Sequence, residues 1–153
     1  MKPAQAKEII KGKVEALAAM ADAIDSDFDV DTIARFRQEF KIVRAFMTFI
    51  RLQRNDSKLK VPENCKYIYH LSGKIKELID EKEHVTGEDE KKELVDMLVK
   101  TQKDWKKNYA KNIFPKFNDK ISVIDFSKLN PDLLDNFFNH IAKESINSEH
   151  KND

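Results

Sequence analysis

Residues 31–54 read DTIARFRQEFKIVRAFMTFIRLQR, and this segment constrains the architecture more than any other part of the chain. At about 100° per residue on a helical wheel, four cations fall within one stripe roughly 80° wide. They are Arg37, Lys41, Arg44 and Arg51, and we call them the basic stripe. Nearly all the remaining circumference is apolar. The segment is therefore predicted to be a helix buried among other helices, with solvent access only along the basic stripe.

The composition favours a small number of long helices. Three Gly and four Pro in 153 residues are too few for the many turns of a β-sandwich or a doubly wound α/β fold. A single Cys excludes an internal disulfide framework, and no Cys/His spacing matches a zinc site. No apolar run reaches the length of about 18 residues that a membrane span requires, and the first residues lack a signal-peptide pattern. We therefore expect a cytoplasmic protein.

Apolar spacings of three and four residues predict five helices. They cover approximately residues 4–24, 31–53, 62–84 and 88–114, followed by a short helix that begins at Asn130-Pro131. The stretch 121–126 has some extended character. Because short loops join the long helices, consecutive helices should be antiparallel neighbours. The predicted fold class is all-α: an up-and-down four-helix bundle with a short C-terminal fifth helix, one domain over residues 1–144, and a disordered tail over 145–153.

The charge is unevenly distributed although its sum is small. The net charge is +1, from 28 basic and 27 acidic residues. All five Arg lie between positions 35 and 54, and residues 31–54 carry six basic and two acidic side chains, a local +4 against −3 elsewhere. Stacked cations repel one another unless negative groups lie beside them. Two explanations stay open: carboxylates of neighbouring helices neutralise the basic stripe, or the stripe binds phosphate, whose oxygens match the planar fork of arginine.

The same segment resembles a known family. Residues 33–46, IARFRQEFKIVRAF, resemble the signature helix of CHAD domains, which are helical domains associated with inorganic polyphosphate. Arg37, Lys41 and Arg44 occupy basic positions of that signature. Residues 71–77, LSGKIKE, resemble a second family element of the leucine-glycine-x-x-arginine-aspartate type, with a Lys-Glu pair in place of Arg-Asp.

The sequence departs from the family pattern at two positions and in length. Ala34 stands where the family has its histidine, and Ile42 replaces a basic residue. A full CHAD domain is similar to two helical halves in tandem, whereas this chain resembles one half, over about residues 25–85. We therefore expect that two copies pair as a homodimer to rebuild the missing half, since a two-fold axis presents the same surface on both partners.

The resemblance implies a non-catalytic protein that binds inorganic polyphosphate or a similar phosphate-containing polyanion, without a cofactor or a metal. The main contacts would come from the basic stripe, Arg37, Lys41, Arg44 and Arg51. Lys74 and Lys76 of the following helix would form a second wall. The alternative is a helical module for protein interaction or structure, whose basic stripe engages acidic side chains instead of a polyanion.

Other candidate sites are weaker. Glu81 and His84 have the Glu-x-x-His spacing of di-iron bundles, but the further ligands that such a site needs are missing. Cys65 has no local basic or histidine partner in sequence, which indicates a buried or inert thiol, and His70 is expected to be a structural histidine. The lysines around Trp105 indicate a solvated face more than a nucleic-acid surface. No catalytic motif is evident, and no specific nucleic-acid binding is expected.

Overall fold

The computed structural model describes the backbone of residues 1–151 and the side chains of residues 1–141. Six helices occupy this part of the chain, and no strand occurs in the described backbone. They are α1 (Pro3–Asp27), α2 (Val30–Arg54), α3 (Glu63–His84), α4 (Glu88–Asn108), α5 (Ile113–Ser122) and α6 (Pro131–Lys151). The all-α class is thus confirmed.

The region from the end of α4 to the end of α5 differs from the prediction. The fourth helix ends at Asn108 instead of continuing to residue 114, and the stretch expected to be a partly extended connection contains α5. Buried Ile113, Phe117 and Ile121 recur every four residues and give α5 one apolar face. Pro115 lies in the first turn of this helix, where a missing backbone N–H costs little. It opens a new helix and does not follow the end of the fourth.

The C-terminal helix is longer than predicted, because α6 has 21 residues and ends at Lys151. The tail predicted for residues 145–153 lies outside the residues whose side chains are described, and it stays a prediction. Among the described residues, no helix combines the length and the apolar composition that crossing a membrane requires.

The acidic loop predicted between the first two helices caps α2. The Asp29 carboxylate accepts hydrogen bonds from the Thr32 amide at 3.0 Å and the Thr32 hydroxyl at 2.9 Å, the usual arrangement of a helix N-cap. These bonds stabilise the ionised carboxylate and hold the pKa of Asp29 below its ordinary value. Phe28 closes α1 in the left-handed region at φ 52°. With only Phe28 and Asp29 between them, α1 and α2 fold back on each other, and Lys13 of α1 pairs with Glu39 of α2 at 3.0 Å.

The second helix lies at the centre of the core, as its apolar circumference predicts. Six of its side chains are at most 1% exposed: Ile33, Phe36, Phe40, Val43, Phe46 and Ile50. Phe36 joins three helices, since its ring centroid lies 6.4 Å from that of Trp105 in α4 and 5.7 Å from that of Phe114 in α5. Phe46 contacts α6 through Phe137, with a centroid distance of 5.5 Å. Phe36, Phe46, Trp105 and Phe114 are among the largest side chains that the fold buries completely.

The consecutive helices α1–α2, α2–α3 and α3–α4 pack as neighbours, and α5 packs along α1. Lys7 of α1 donates to the carbonyl oxygens of Ser122 at 2.7 Å and Ile124 at 2.9 Å, which attaches the end of α5. The fourth helix buries only Leu98 and Trp105. The Trp105 indole donates to the Asp25 carboxylate at 3.0 Å, so the last turns of α4 reach the end of α1.

Tyr109 follows α4 and makes a second link to α1, because its hydroxyl donates to the Asp22 carboxylate. Burial and the two nearby carboxylates, Asp22 and Asp25, disfavour the phenolate and raise the pKa of Tyr109 far above its ordinary value. In the folded protein the hydroxyl therefore stays protonated at a pH where a free tyrosine ionises.

The burial of Phe36 predicts a large loss of stability in Phe36→Ala. Removing the ring leaves a cavity among α2, α4 and α5, and we expect the free energy of unfolding to fall by about 3–5 kcal/mol. Leu52→Ala on the same helix is the matched control, because Leu52 is 72% exposed, and its effect should stay within about 0.5 kcal/mol. Urea denaturation of both variants measures the difference. Equal effects would contradict the central position of Phe36.

The raised pKa of Tyr109 predicts alkaline destabilisation. The folded state retains the phenolic proton while the unfolded state, with a tyrosine pKa near the ordinary value of 10.0, releases it. The contribution of Tyr109 to the free energy of unfolding should therefore be constant below this value and fall as the pH rises above it. Urea denaturation from about pH 9 to pH 11 should show a shallower decline in Tyr109→Phe than in the wild type. Identical pH profiles would show that Tyr109 ionises equally easily in both states.

Candidate anion-binding site

Arg37 attaches the basic stripe to α3. Its Nη1 donates to the carbonyl oxygen of Tyr69 at 2.6 Å and to the hydroxyl of Ser72 at 3.0 Å. Its guanidinium carbon lies 4.0 Å from the centroid of the Tyr69 ring. A Cβ at Gly73 would lie only 2.5 Å from Nη1, so this position needs glycine for the guanidinium to approach. The two sequence elements that resemble the CHAD family thus contact each other through Arg37 and Gly73.

The ring of Tyr69 also positions a second arginine. Tyr69 is 5% exposed and stacks on Phe40 of α2 with a centroid distance of 4.4 Å. The guanidinium carbon of Arg44 lies 5.1 Å from the same ring centroid. A cation near an aromatic ring gains about 0.5–1 kcal/mol at an exposed site. The Tyr69 ring therefore contacts both arginines, and hydrogen bonds to the Tyr69 carbonyl and the Ser72 hydroxyl also hold Arg37.

No carboxylate neutralises the basic stripe among residues 1–141. Within this range none of its four side chains forms an ion pair of 4.0 Å or less. The first of the two explanations left open by the sequence, compensation by Asp and Glu of other helices, therefore has no close ion pair behind it among the described side chains. The stripe keeps its positive charge, and a bound anion would relieve the repulsion between its members.

A cleft of about 140 Å³ lies between the C-terminal half of α2 and the first turn of α3. Four cations line it: Arg44 and Arg51 from α2, Lys60 from the connecting loop, and Lys66 from α3. The other lining residues are Met47, Thr48, Leu59 and Val61, so the lining contains no acidic side chain. We call this the α2–α3 cleft. Three separate segments of the chain bring positive charge to one concave place.

One carboxylate approaches the edge of the α2–α3 cleft. Lys66 lies 3.2 Å from Glu63, one turn earlier on α3. The Glu63 side chain is 79% exposed, and an exposed pair of this kind contributes little, because water screens it and the side chains lose mobility. Lys66 can therefore exchange Glu63 for a more strongly charged anion at small cost.

The remaining predicted contacts lie elsewhere. Lys41 is exposed and lies between Arg37 and Arg44 along α2. Lys74 lines a different groove, between α3 and α4, together with Lys100, Lys103 and Lys107. Lys76 pairs with Asp80 of its own helix at 3.9 Å. The structure thus brings Arg44 and Arg51 together with Lys60 and Lys66, and not with Lys74 or Lys76.

The helical pattern of the sequence does not identify Lys60 and Lys66 as contacts, because Lys60 lies in a loop and Lys66 lies in the first turn of α3. A usable signal was present. The loop runs from Asn55 to Pro62 and joins two neighbouring helices, so it must return beside the last turns of α2. This path indicates that Lys60, near the end of the loop, lies close to Arg51.

The weaker candidates have local surroundings of their own. Cys65 is 0% exposed, which confirms the buried thiol, and burial raises its pKa to about 12. The His84 ring shares a hydrogen bond with the Asp80 carbonyl at 2.7 Å. His70 is exposed and edge-on to the Tyr69 ring, with a centroid distance of 5.7 Å, so it does not belong to the core. Within the described residues, no three His, Cys, Asp or Glu side chains are arranged to hold a metal ion.

No family model, curated protein or solved structure matches this chain. The resemblance to CHAD domains therefore rests on the two quoted sequence elements alone.

The close approach of Arg37 to Gly73 predicts an energetic coupling between the two residues. Alanine in a helix is more stable than glycine by about 0.5–1 kcal/mol, and in an Arg37→Ala background we expect Gly73→Ala to show this gain. In the wild-type background the new methyl group displaces the guanidinium from Tyr69 and Ser72, so the gain should vanish or reverse. Urea denaturation of the wild type, the two single variants and the double variant completes this double-mutant cycle. Additive effects would show that the guanidinium does not occupy this place.

Proposed function

We propose that this protein binds phosphate-containing polyanions, such as inorganic polyphosphate, without catalysis, and that the α2–α3 cleft is the principal binding site. The observation that carries the proposal is the convergence of Arg44, Arg51, Lys60 and Lys66 on one cleft whose lining has no acidic residue. The presence of two arginines favours phosphate as the bound anion, because the planar guanidinium pairs with two phosphate oxygens at once. The two lysines add positive charge, and their ammonium groups bind phosphate with fewer geometric constraints than arginine does.

An extended anion suits this surface better than a single phosphate. The basic stripe continues from Arg51 at the cleft to Lys41, ten residues earlier on α2, a distance of about 15 Å along a helix axis. The cleft accommodates one end of such a chain, and the exposed Lys41 and Arg44 lie along its path. Arg37 takes a different role from the one its sequence position implied: it anchors α2 to α3 and contributes its charge from beside the path.

The proposal includes finer features that the sequence implies. The first four helices form an up-and-down bundle similar to one half of a CHAD domain, and the protein acts in the cytoplasm. Two copies associate, which doubles the number of basic clefts available to one long polyanion and raises its apparent affinity.

A second function is favoured by one specific observation, the diversion of Arg37 into the α2–α3 contact. Together with Ala34 at the position of the family histidine, it removes two contacts that a CHAD domain would offer a polyanion. The same cations could then engage acidic side chains of a protein partner. Binding to acidic peptides but not to polyphosphate would favour this alternative.

The binding test compares two double variants that remove equal charge. Arg44→Gln with Arg51→Gln alters the α2–α3 cleft, while Arg35→Gln with Lys116→Gln removes two exposed cations outside it. Two charge-assisted hydrogen bonds are lost only in the first variant, so its affinity for polyphosphate should fall at least about tenfold. The control should lose less than about threefold. Fluorescence anisotropy with labelled polyphosphate gives both affinities.

Salt provides a second readout of the same complex. Wild-type affinity should fall steeply between about 50 mM and 200 mM NaCl, because each neutralised phosphate releases a counterion, and the cleft variant should show a shallower dependence than the control. The proposal would be wrong if the folded cleft variant bound polyphosphate as tightly as the wild type.

A further inference from the structure

The side of α4 opposite the buried Leu98 and Trp105 carries a stripe of charged residues with a regular order, and its three lysines also line the groove beside Lys74 of α3. Six residues on this side recur at alternating spacings of four and three: Asp89, Glu93, Asp96, Lys100, Lys103 and Lys107. This is the spacing of the contact positions of a coiled coil, which keeps all six on one face of a helix. All six side chains are exposed, while the buried Leu98 and Trp105 lie on the side of α4 that faces the rest of the protein. We call these six residues the α4 stripe.

The charges of the α4 stripe are arranged antisymmetrically about Leu98. Asp96 and Lys100 lie two residues on either side of this position, Glu93 and Lys103 lie five, and Asp89 and Lys107 lie nine. All three acids precede the centre, and all three lysines follow it. A helix with this order is complementary to a second copy of itself that runs in the opposite direction.

We propose that a second copy of this chain docks on the α4 stripe, with the two α4 helices antiparallel and a two-fold axis near Leu98. A two-fold interface places the same surface on both partners. In this arrangement each acid of one copy lies opposite a lysine of the other, which gives six ion pairs in all. A parallel arrangement would place acids against acids, so the charge order selects the antiparallel one.

The contacts within the chain leave these charges free for a partner. None of the six residues takes part in an ion pair of 4.0 Å or less within the described chain, although Asp96 and Lys100 are one turn apart. Apolar surface is available beside the centre, where Met97 is 45% exposed and Val99 is 43% exposed. These two side chains flank the stripe on opposite sides, and their burial would add to the ion pairs.

The chemistry of the interface determines its strength. Exposed ion pairs are individually weak and are screened by salt, and the apolar contribution is limited to a few side chains. The dimer should therefore form at high protein concentration and low ionic strength, and it should dissociate as salt is added. This inference does not depend on polyanion binding, because the α2–α3 cleft contains none of the six residues.

The test exchanges the charges of the α4 stripe. One triple variant carries Asp89→Lys, Glu93→Lys and Asp96→Lys, and a second carries Lys100→Glu, Lys103→Glu and Lys107→Glu. Sedimentation velocity at about 20 mM and about 0.5 M NaCl measures the mass of each protein at equal concentration. We expect the wild type to approach the dimer mass at low salt and the monomer mass at high salt.

Each triple variant should be a monomer at low salt, since its stripe carries six like charges. An equimolar mixture of the two should form a heterodimer, because each variant then faces the opposite charge. A variant with all six substitutions should regain the homodimer. A wild type that remains a monomer at low salt, triple variants that dimerise on their own, or a mixture that does not associate would each overturn the proposal.

Charge reversal also opposes the helix dipole and could unfold α4, so circular dichroism accompanies each sample. If a triple variant loses helix, Glu93→Gln with Lys103→Gln takes its place, since it removes two of the interchain pairs at little cost to the helix. We expect it to weaken dimerisation about fivefold or more. An unchanged dimerisation constant in this folded variant would contradict the pairing.

Discussion

The burial of α2 is the constraint on which the rest of the structure depends. A helix with apolar side chains around most of its circumference needs neighbours on several sides, and α1, α3 and α6 all pack against it. Phe36 extends these contacts to α4 and α5. The basic stripe lies on a side of α2 that apolar packing does not cover, so the surface where positive charge gathers is a consequence of how the core is built.

The basic stripe divides into two parts with different partners. Arg37 is half-buried, and its guanidinium satisfies the polar groups of α3 by bonding to the Tyr69 carbonyl and the Ser72 hydroxyl. Burial of a charge is costly unless such hydrogen bonds compensate it. Because these partners are neutral, the contact fixes α3 against α2 without cancelling the positive charge. Arg44 and Arg51 lie farther along the stripe, where the helices leave room for the α2–α3 cleft.

The sequence predicted the features that depend on one helix at a time. The 3.6-residue period identified the all-helical class and the burial of α2, and Cys65 was likewise expected to be buried. Which helix faces which is a different question, since a wheel contains no information about neighbours. For this reason the wheel did not predict the position of Lys74. This residue was expected beside the stripe but lies in the groove between α3 and α4. The up-and-down order of the bundle likewise stays a prediction.

Helix α5 and the position of Lys60 were not predicted either, and in both cases the reason is local. Helix α5 is only ten residues long and has a proline in its first turn, so its pattern is brief and its proline resembles a stop signal. Lys60 belongs to a loop, where no periodicity exists. Its position in the cleft follows from the path of the loop between α2 and α3, which a helical period does not describe.

The location of the anion is the central claim, and NMR spectroscopy tests it most directly. The ¹H–¹⁵N spectrum of the labelled protein would be followed during titration with tripolyphosphate at low salt. We expect the largest shift changes at residues 44–51 and 60–66, with the α4 lysines unaffected. Shifts concentrated at Lys100, Lys103 and Lys107, or no shifts at all, would contradict a binding site in the α2–α3 cleft.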